Sequence, residues 1–439
     1  MSRSDRFNSQ MSWRATMTAL GIVFVLTVVA APAAKAQTLA VLHAFTSHND
    51  GAEPGAGMTM DRAGNLYGST MFGGDWSCTA GEGEPPGCGV LFGMRKAGSG
   101  WLFNTIYIFP GNLWGYVFVA SGGLSIGPNG SLYGITNGGG DFDDGTVFNA
   151  VPSPTAPRTA LVSWNYNTLS QFTGNDGAAP TRLDSLQFDS SGNIYGAATY
   201  GGPANDGVVY ELTPSGSGWT ESDLYSFTGG SDGSHLRGIT FGEDGNIYGV
   251  AAYGGGNQEC GYGYGCGTIY ELTPSQSGWT ETTLHAFQQG IDGGWPGPLT
   301  RDHEGNLYGI TQAYGPNNNG GTVWEMSPTN GGWTFSVIHA FPTQTVEDYG
   351  PYPLTMDAAG NLYGISGLGG QKNDGFLFRL TPSNGGWTYT ELYDFGTAVG
   401  QLDGCWPEGA PLLDAEGNIY GVTRFCGDYG YGTVLEFTP

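Results

Sequence analysis

The chain has 439 residues, 79 of them glycine and 24 proline, with 13% aromatic and only 12% charged residues. So many rings exclude a disordered chain, and the lack of long helical periodicity points to a turn-rich all-β protein. With 14 basic against 39 acidic residues, a net charge of −25, nucleic acid and anionic membrane are excluded as expected partners, because both need basic patches.

Residues 1–36 read as a secretory signal peptide. Arg3, Arg6 and Arg14 form a basic start, an apolar run covers 17–31, and Ala34-Lys35-Ala36 gives a small-x-small cleavage site before Gln37. The apolar run is shorter than the roughly 20 residues a helical span needs. The protein is therefore expected to be secreted, or periplasmic, without membrane insertion after cleavage. No Cys stands at the cleavage point, so a lipid anchor is not expected. Residues 37–439 are expected to form a single domain, and a monomer.

A repeat runs through that domain. Gly-Asn-(Leu/Ile)-Tyr-Gly begins at Gly64, Gly192, Gly245, Gly305, Gly360 and Gly417, and Gly130 opens the variant Gly-Ser-Leu-Tyr-Gly. These seven copies lie 53 to 66 residues apart, a period that belongs to solenoids, propellers or arrays. Each unit divides into four short strand-like pieces. Around Gly305 they are A (298–302), B (306–311), C (322–326) and D (333–341), with a turn expected over 327–332. Four antiparallel strands per unit make the blade of a β-propeller. Leu307 and Tyr308 are adjacent and both apolar, so both faces of the sheet need cover. The last unit stops after piece C, at 432–437, and residues 39–45 match the D pieces ending in Phe287 and Phe341. The N-terminal strand is thus expected to complete the last sheet and close a seven-bladed ring, which removes free sheet edges.

The Gly-Asn-Leu-Tyr-Gly, Gly-Thr-Val-Phe/Tyr and Leu-His-Ala-Phe segments resemble the GloVer-type tandem repeats of bacterial extracellular proteins, close to those called HAF repeats, over essentially all of 38–439. The resemblance implies an exported protein whose activity is mostly unassigned. Many such proteins carry a C-terminal anchoring tail, whereas this sequence ends at Thr438-Pro439, a departure that puts surface attachment in doubt. The Asp-x-x-Gly-Asn-x-Tyr turn is also similar to turns of NHL and lactonase-type propellers.

Antiparallel order puts the A-to-B and C-to-D turns on one face, and the B-to-C and D-to-A loops on the other. The first set is short and repetitive, the second varies, and variable loops on a rigid scaffold carry function. All six cysteines fall on the variable face. Proximity pairs Cys78 with Cys88, Cys260 with Cys266 and Cys405 with Cys426, as an exported protein allows. No Cys-x-x-Cys pair is present, so zinc is not expected.

Asp-Gly recurs in the D-to-A loops at Asp50, Asp176, Asp232, Asp292 and Asp403, and before piece C at Asp144, Asp206 and Asp374. Turn chemistry accounts for this pattern; the alternative is a carboxylate cluster for Ca²⁺. No other cofactor is expected. Trp295 and Trp406 occupy matching places in Asp-Gly-x-Trp-Pro, and Tyr262, Tyr264, Tyr429 and Tyr431 lie in Gly-Tyr-Gly-Tyr-Gly segments. Trp76, Trp114, Tyr253 and Tyr349 stand in related loops. Flat rings with Asp acceptors suit sugars, so Trp295, Trp406, these four tyrosines, Tyr253, Asp292 and Asp403 are the candidate ligand residues. Packing of the rings over neighbouring loops is the competing account. Trp101, Trp219, Trp279, Trp333 and Trp387 recur at the start of piece D and read as framework.

No catalytic residue is expected. His43, His285 and His339 belong to a repeated strand, leaving His48, His235 and His303 irregular. No nucleophile elbow, zinc helix or phosphate loop is present. Glu259, Glu347 and Glu408 lie on the variable face, but nothing pairs two of them. The expected function is a binding or scaffold module for polysaccharide or a surface glycan. A polysaccharide hydrolase or lyase, or a protein-interaction role, is the alternative.

Overall fold

The computed structural model describes residues 37–78, 85–110, 123–152, 164–181, 185–243, 245–256, 260–317, 320–342 and 352–439. The signal segment lies outside them, as do Trp114, Tyr349, Glu259 and Glu347, and of Tyr262 only the backbone is described. Residues Gln37–Pro439 form one compact unit. Among the described residues it is all-β, apart from two short 3-10 turns at Gly261–Gly263 and Val399–Gln401.

Each repeat unit folds into a four-stranded antiparallel sheet with strands A to D adjacent in chain order. In the Gly305 unit, B is Leu307–Ala313, C is Thr322–Thr329 and D is Gly332–Ala340. Two expected boundaries need correction. Strand A is two fragments, Gly294–Pro296 and Thr300–Arg301, both paired with B. The C-to-D turn is only two residues long, because Pro328 pairs with Trp333 and Thr329 with Gly332. Strand B starts at Leu307 opposite Met326, so the missing N–H of Pro328 falls where B has already ended and costs the ladder nothing.

The repeated turn between A and B is held by one carboxylate. Asp302 Oδ1 accepts from the backbone N–H groups of Glu304 and Asn306, and Oδ2 accepts from Asn306 Nδ2 and Tyr308 Oη. Asp61, Asp189, Asp357 and Asp414 do the same in their units. In the Gly245 unit Gly242 stands in the Asp place, and Glu271 of strand C takes over, accepting from Asn246 Nδ2 and Tyr248 Oη. The glycine after the motif tyrosine makes room for a ring. Gly309 faces Trp324, and a methyl added there would overlap the indole; Gly68, Gly134, Gly196, Gly249 and Gly364 face Phe92, Phe148, Tyr210, Tyr270 and Phe378 in the same way. In the last unit Leu435 replaces the ring, and Gly421 meets nothing within 4 Å.

Successive sheets share apolar seams. Tyr248, Ile269 and Phe287 of the Gly245 unit pack with Leu299, Leu307, Trp324 and Met326 of the next. The tryptophan opening strand D packs edge-on to the motif tyrosine of the preceding unit, as in Trp333–Tyr248 and Trp387–Tyr308. The strand-D histidines serve the same seams: His285 stacks on Phe335 and His339 on Tyr389, with centroids 3.9 and 4.2 Å apart.

The first and last described strands meet. Thr38–Ala44 pairs antiparallel with Thr433–Thr438 as the fourth strand of the last sheet. A parallel pair, Gly57 with Ala410, joins that sheet to the first one. The seam there repeats the others: Tyr420, Val422, Val434 and Phe45 pack with Leu66, Phe92 and Met94, Trp101 packs on Tyr420, and His43 stacks on Phe103. Arg424 is buried between two acids, 2.9 Å from Glu53 and 3.7 Å from Glu408. Removing one partner of such a buried group strands charge and is strongly destabilising.

Two outcomes follow. Gly309→Ala should lower stability by about 1–3 kcal/mol through overpacking, whereas Gly421→Ala should be close to neutral; denaturant unfolding of the two variants checks the difference. Glu221 occupies the ring position on strand D of the Gly192 unit and accepts from Ser170. Burial, with Asp176 and Asp223 nearby, pushes its carboxyl up to about 7. A raised carboxyl disfavours the charged folded state above that pH, and the penalty vanishes below the ordinary range. Glu221→Gln should therefore raise Tm at pH 8 by about 1–3 °C and leave it unchanged at pH 4, as scanning calorimetry at both pH values would read.

Candidate functional site

Exposed large apolar side chains are distributed unevenly. Trp76, Phe142, Tyr200, Tyr264, Ile291, Val399, Leu402 and Tyr429 are exposed, and all stand at or beside B-to-C and D-to-A loops. The remaining exposed ones among the described residues, Val41, Leu102 and Ile108, lie on D strands. The opposite face, made of tight turns, exposes none of this size among the described residues. Exposed apolar surface gathered on one side marks an interaction face.

The aspartates of the D-to-A loops turn inward. Asp50 accepts from Thr46 N, Thr46 Oγ1 and His43 Nε2. Burial alone would raise its pKa, but the bonds from His43 and Thr46 outweigh that and hold the carboxyl below its ordinary value. Asp232 accepts from Thr228 and Tyr225. Asp292 is 5% exposed, with Oδ1 bonded by Gln288 N and Oδ2 by His285. Asp403 is 3% exposed and accepts from Tyr393 Oη at 2.9 Å through Oδ2. These carboxylates fasten each loop to its own strand D. Among the described residues, no group of three or more His, Cys, Asp or Glu side chains is placed to hold a metal ion.

Three residues beyond each of these aspartates the backbone does something unusual. Glu53, Ala179, His235, Trp295 and Trp406 all have φ between 45° and 60°. Each turns its N–H to the preceding unit: to the carbonyls of Tyr431, Asp144, Asp206, Cys266 and Asp374, at 2.8–3.0 Å. The left-handed region is strained for bulky L-residues, and such outliers gather at functional sites. The side chains are thereby placed between the B-strand ends of two neighbouring units.

In three successive units those positions join into an arc of rings. Tyr200 packs on His235 at 4.6 Å, His235 on Tyr253 at 4.6 Å, Tyr253 on Trp295 at 5.8 Å and Trp295 on Tyr314 at 5.0 Å. All four contacts are edge-to-face, the arrangement ring quadrupoles favour. Tyr264, 64% exposed, lies over Tyr253 at 5.4 Å. Arg237 spans to the next unit, donating to the Trp295 carbonyl at 3.5 Å and to Gln312 Oε1 at 3.4 Å. Burial, with the Arg237 charge adding, holds His235 below its ordinary pKa and keeps it neutral near pH 7.

The three disulfides are Cys78–Cys88, Cys260–Cys266 and Cys405–Cys426, the pairs that proximity along the chain selects. Two of them flank the loop-face tryptophans. Cys260–Cys266 closes the loop whose Gly261 lies against the Trp295 indole and whose Cys266 carbonyl receives the Trp295 N–H. Cys405–Cys426 ties the start of strand A to the end of strand B beside the Trp406–Phe425 pair.

The candidate residues thus divide. Tyr253, Tyr264 and Trp295 come together. Trp406 packs separately on Phe425, Tyr429 is exposed on its own loop, and Tyr431 packs against Ala52, Met71 and Phe72. Asp292 and Asp403 are the loop fasteners already described, and Glu408 is the buried partner of Arg424. Sequence reasoning left His235 unassigned and did not single out Tyr200, Arg237 or Tyr314. The available signal was Asp232-Gly-Ser-His235, which aligns with Asp292-Gly-Gly-Trp295.

The family model described as the Gloeobacter/Verrucomicrobia repeat matches residues 76–320 and 321–439. The chain belongs to that repeat family. No curated protein is similar to it in sequence. Among solved structures it is similar to a gluconolactonase from Xanthomonas campestris, at 12% identity and TM-score 0.40, over 81% of this chain and 89% of that one. It is also similar to the extracellular domain of a one-component system from B. thetaiotaomicron, at 11% identity and TM-score 0.50, over 91% of this chain and 39% of that one. A polysaccharide lyase, an ulvan lyase, is similar at 13% identity and TM-score 0.49, over 91% of this chain and 95% of that one. At such identities the likeness concerns the fold, which is propeller-like. The three disulfides fit an extracellular or periplasmic protein, and no helix among the described residues is long and apolar enough to cross a membrane.

The strain at Trp295 has a measurable signature. Trp295→Gly and Trp295→Ala both lose the indole, but alanine keeps a Cβ in the left-handed region. The alanine variant should be the less stable by about 1 kcal/mol, reversing the usual order within a strand, as urea unfolding would show.

Proposed function

We propose that this repeat protein is a secreted, closed seven-bladed propeller that binds polysaccharide or a surface glycan through its loop face, as a monomer. The seams between successive sheets, repeated between the last unit and the first, support the closed ring, as does the pairing of Thr38–Ala44 into the last sheet. The arc of rings from Tyr200 to Tyr314 carries the binding reading. A core ring needs no strained backbone. Here His235 and Trp295 are held at φ 60°, and rings at the foot of open loops can meet the C–H faces of sugars. Tyr200 and Tyr264 present the most exposed surface of the group.

The test is a polysaccharide and glycan-array screen of residues 37–439, with and without Ca²⁺. At least one glycan should bind, and Trp295→Ala combined with Tyr253→Ala should weaken it tenfold or more while the far-ultraviolet circular dichroism is unchanged. Calcium-dependent binding would add a metal to the site. A screen with no binder would overturn the glycan reading and favour a protein partner for the same face.

A further inference from the structure

The rings of the arc run in a row across unit boundaries. Tyr200 belongs to the Gly192 unit, His235, Tyr253 and Tyr264 to the Gly245 unit, and Trp295 and Tyr314 to the Gly305 unit. Its two most exposed rings, Tyr200 at 39% and Tyr264 at 64%, are linked through His235 and Tyr253, with 4.6–5.4 Å between centroids at each step. The loop segments that carry and border these rings, 200–206, 228–233, 253–267, 288–294 and 314–321, contain neither Lys nor Arg. Their described aspartates are withdrawn. Asp232 and Asp292 are buried and fastened to strand D, and Asp206 is half-buried over Gly229. Arg237, on strand A, is committed to the Trp295 carbonyl and to Gln312. The exposed polar side chains described on these loops, among them Asn205, Ser231, Gln288, Gln289 and Asn317, are uncharged.

We propose that the arc binds an internal stretch of a neutral, linear polysaccharide, with sugars of one chain lying against Tyr200 and Tyr264 and their hydroxyls met by the amides of these loops. This rests on the glycan reading above and names its substrate class. An amide both donates and accepts, as a sugar hydroxyl does, so neutral partners match without burying an unpaired charge. An anionic sugar would find no Lys or Arg on these loops and would meet the field of a chain with a net charge of −25. A site for a chain end encloses one sugar, whereas rings supplied in a row by three units suit several sugars in series.

The probes are cello-, laminari-, manno- and chitin oligosaccharides of two to six sugars. The first three are also used with their primary alcohols oxidised to carboxylates, and the last also deacetylated to carry ammonium groups. Affinities for residues 37–439 are read by calorimetry at physiological ionic strength and again at high salt. At least one neutral series should bind, with an affinity that salt leaves unchanged and that rises about tenfold from the disaccharide to the hexasaccharide, as a second ring contact would add. Tyr200→Ala and Tyr264→Ala, both at exposed positions, should each flatten that rise; the wild-type length series stands even if a variant does not fold. Affinity independent of length, a rise that survives both substitutions, or a charged form that binds more tightly than its neutral counterpart would overturn the assignment while leaving the glycan reading intact. So would silence from every neutral series beside a binder in the array screen; silence together with an empty array would remove both.

Discussion

An aromatic ring lying on a glycine of the neighbouring strand is the contact on which the architecture rests. Trp324 over Gly309 and Phe92 over Gly68 set how closely strands B and C can pack. The rings then form the middle of the seam with the adjoining sheet, where Trp324 meets Phe287 of the preceding unit and Phe92 meets Phe45. Each ring thus serves its own sheet and the next. Because the seams are apolar and nearly all of these rings are fully buried, the hydrophobic effect acts largely between units, and the larger buried clusters each draw on two neighbouring units. In five of the units the carboxylate at the A-to-B turn then fixes the approach of strand B, so that the ring finds its glycine.

The loop face inherits its geometry from this packing. Adjacent units also exchange a backbone hydrogen bond at the entrance of strand A, and making that bond turns His235, Trp295 and Trp406 into the left-handed region. The rings that could touch a ligand are set there by the joint between units. The arc is consequently a property of three units together. No single repeat contains it, since each wedge needs a tyrosine from the unit before and a ring from its own.

Much of the scaffold was legible in the chain because it depends on local chemistry repeated many times. Asp-x-x-Gly-Asn-x-Tyr-Gly encodes a turn, its hydrogen bonds and the glycine under the ring in eight residues. The N-terminal Leu-His-Ala-Phe strand betrays its place by matching its counterparts. The site was less legible for two reasons. Positive φ at Trp295 leaves no mark in residue type, since tryptophan does not favour it, and only the Asp-Gly three positions earlier hints at it. The contacts that matter also cross units: Arg237 meets the Trp295 carbonyl, and Arg424 meets Glu53 from the far end of the chain. Asp292 and Asp403 fasten their loops as Asp50 and Asp232 do, and residue type alone does not set them apart.

The pairing of Thr38–Ala44 with Thr433–Thr438 also sets an order of assembly. The strand made first finds its hydrogen-bonding partner only when the strand made last has appeared, so this contact has nearly the greatest sequence separation the chain allows, and such closures are slow. Until then the first segment waits without a ladder, the last sheet has an open edge, and Phe45 and Leu66 lack the far side of their seam. The late closure therefore acts as a checkpoint: a chain truncated or stalled anywhere before its final strand would carry two unfinished edges, the state most open to proteolysis and to pairing with another copy.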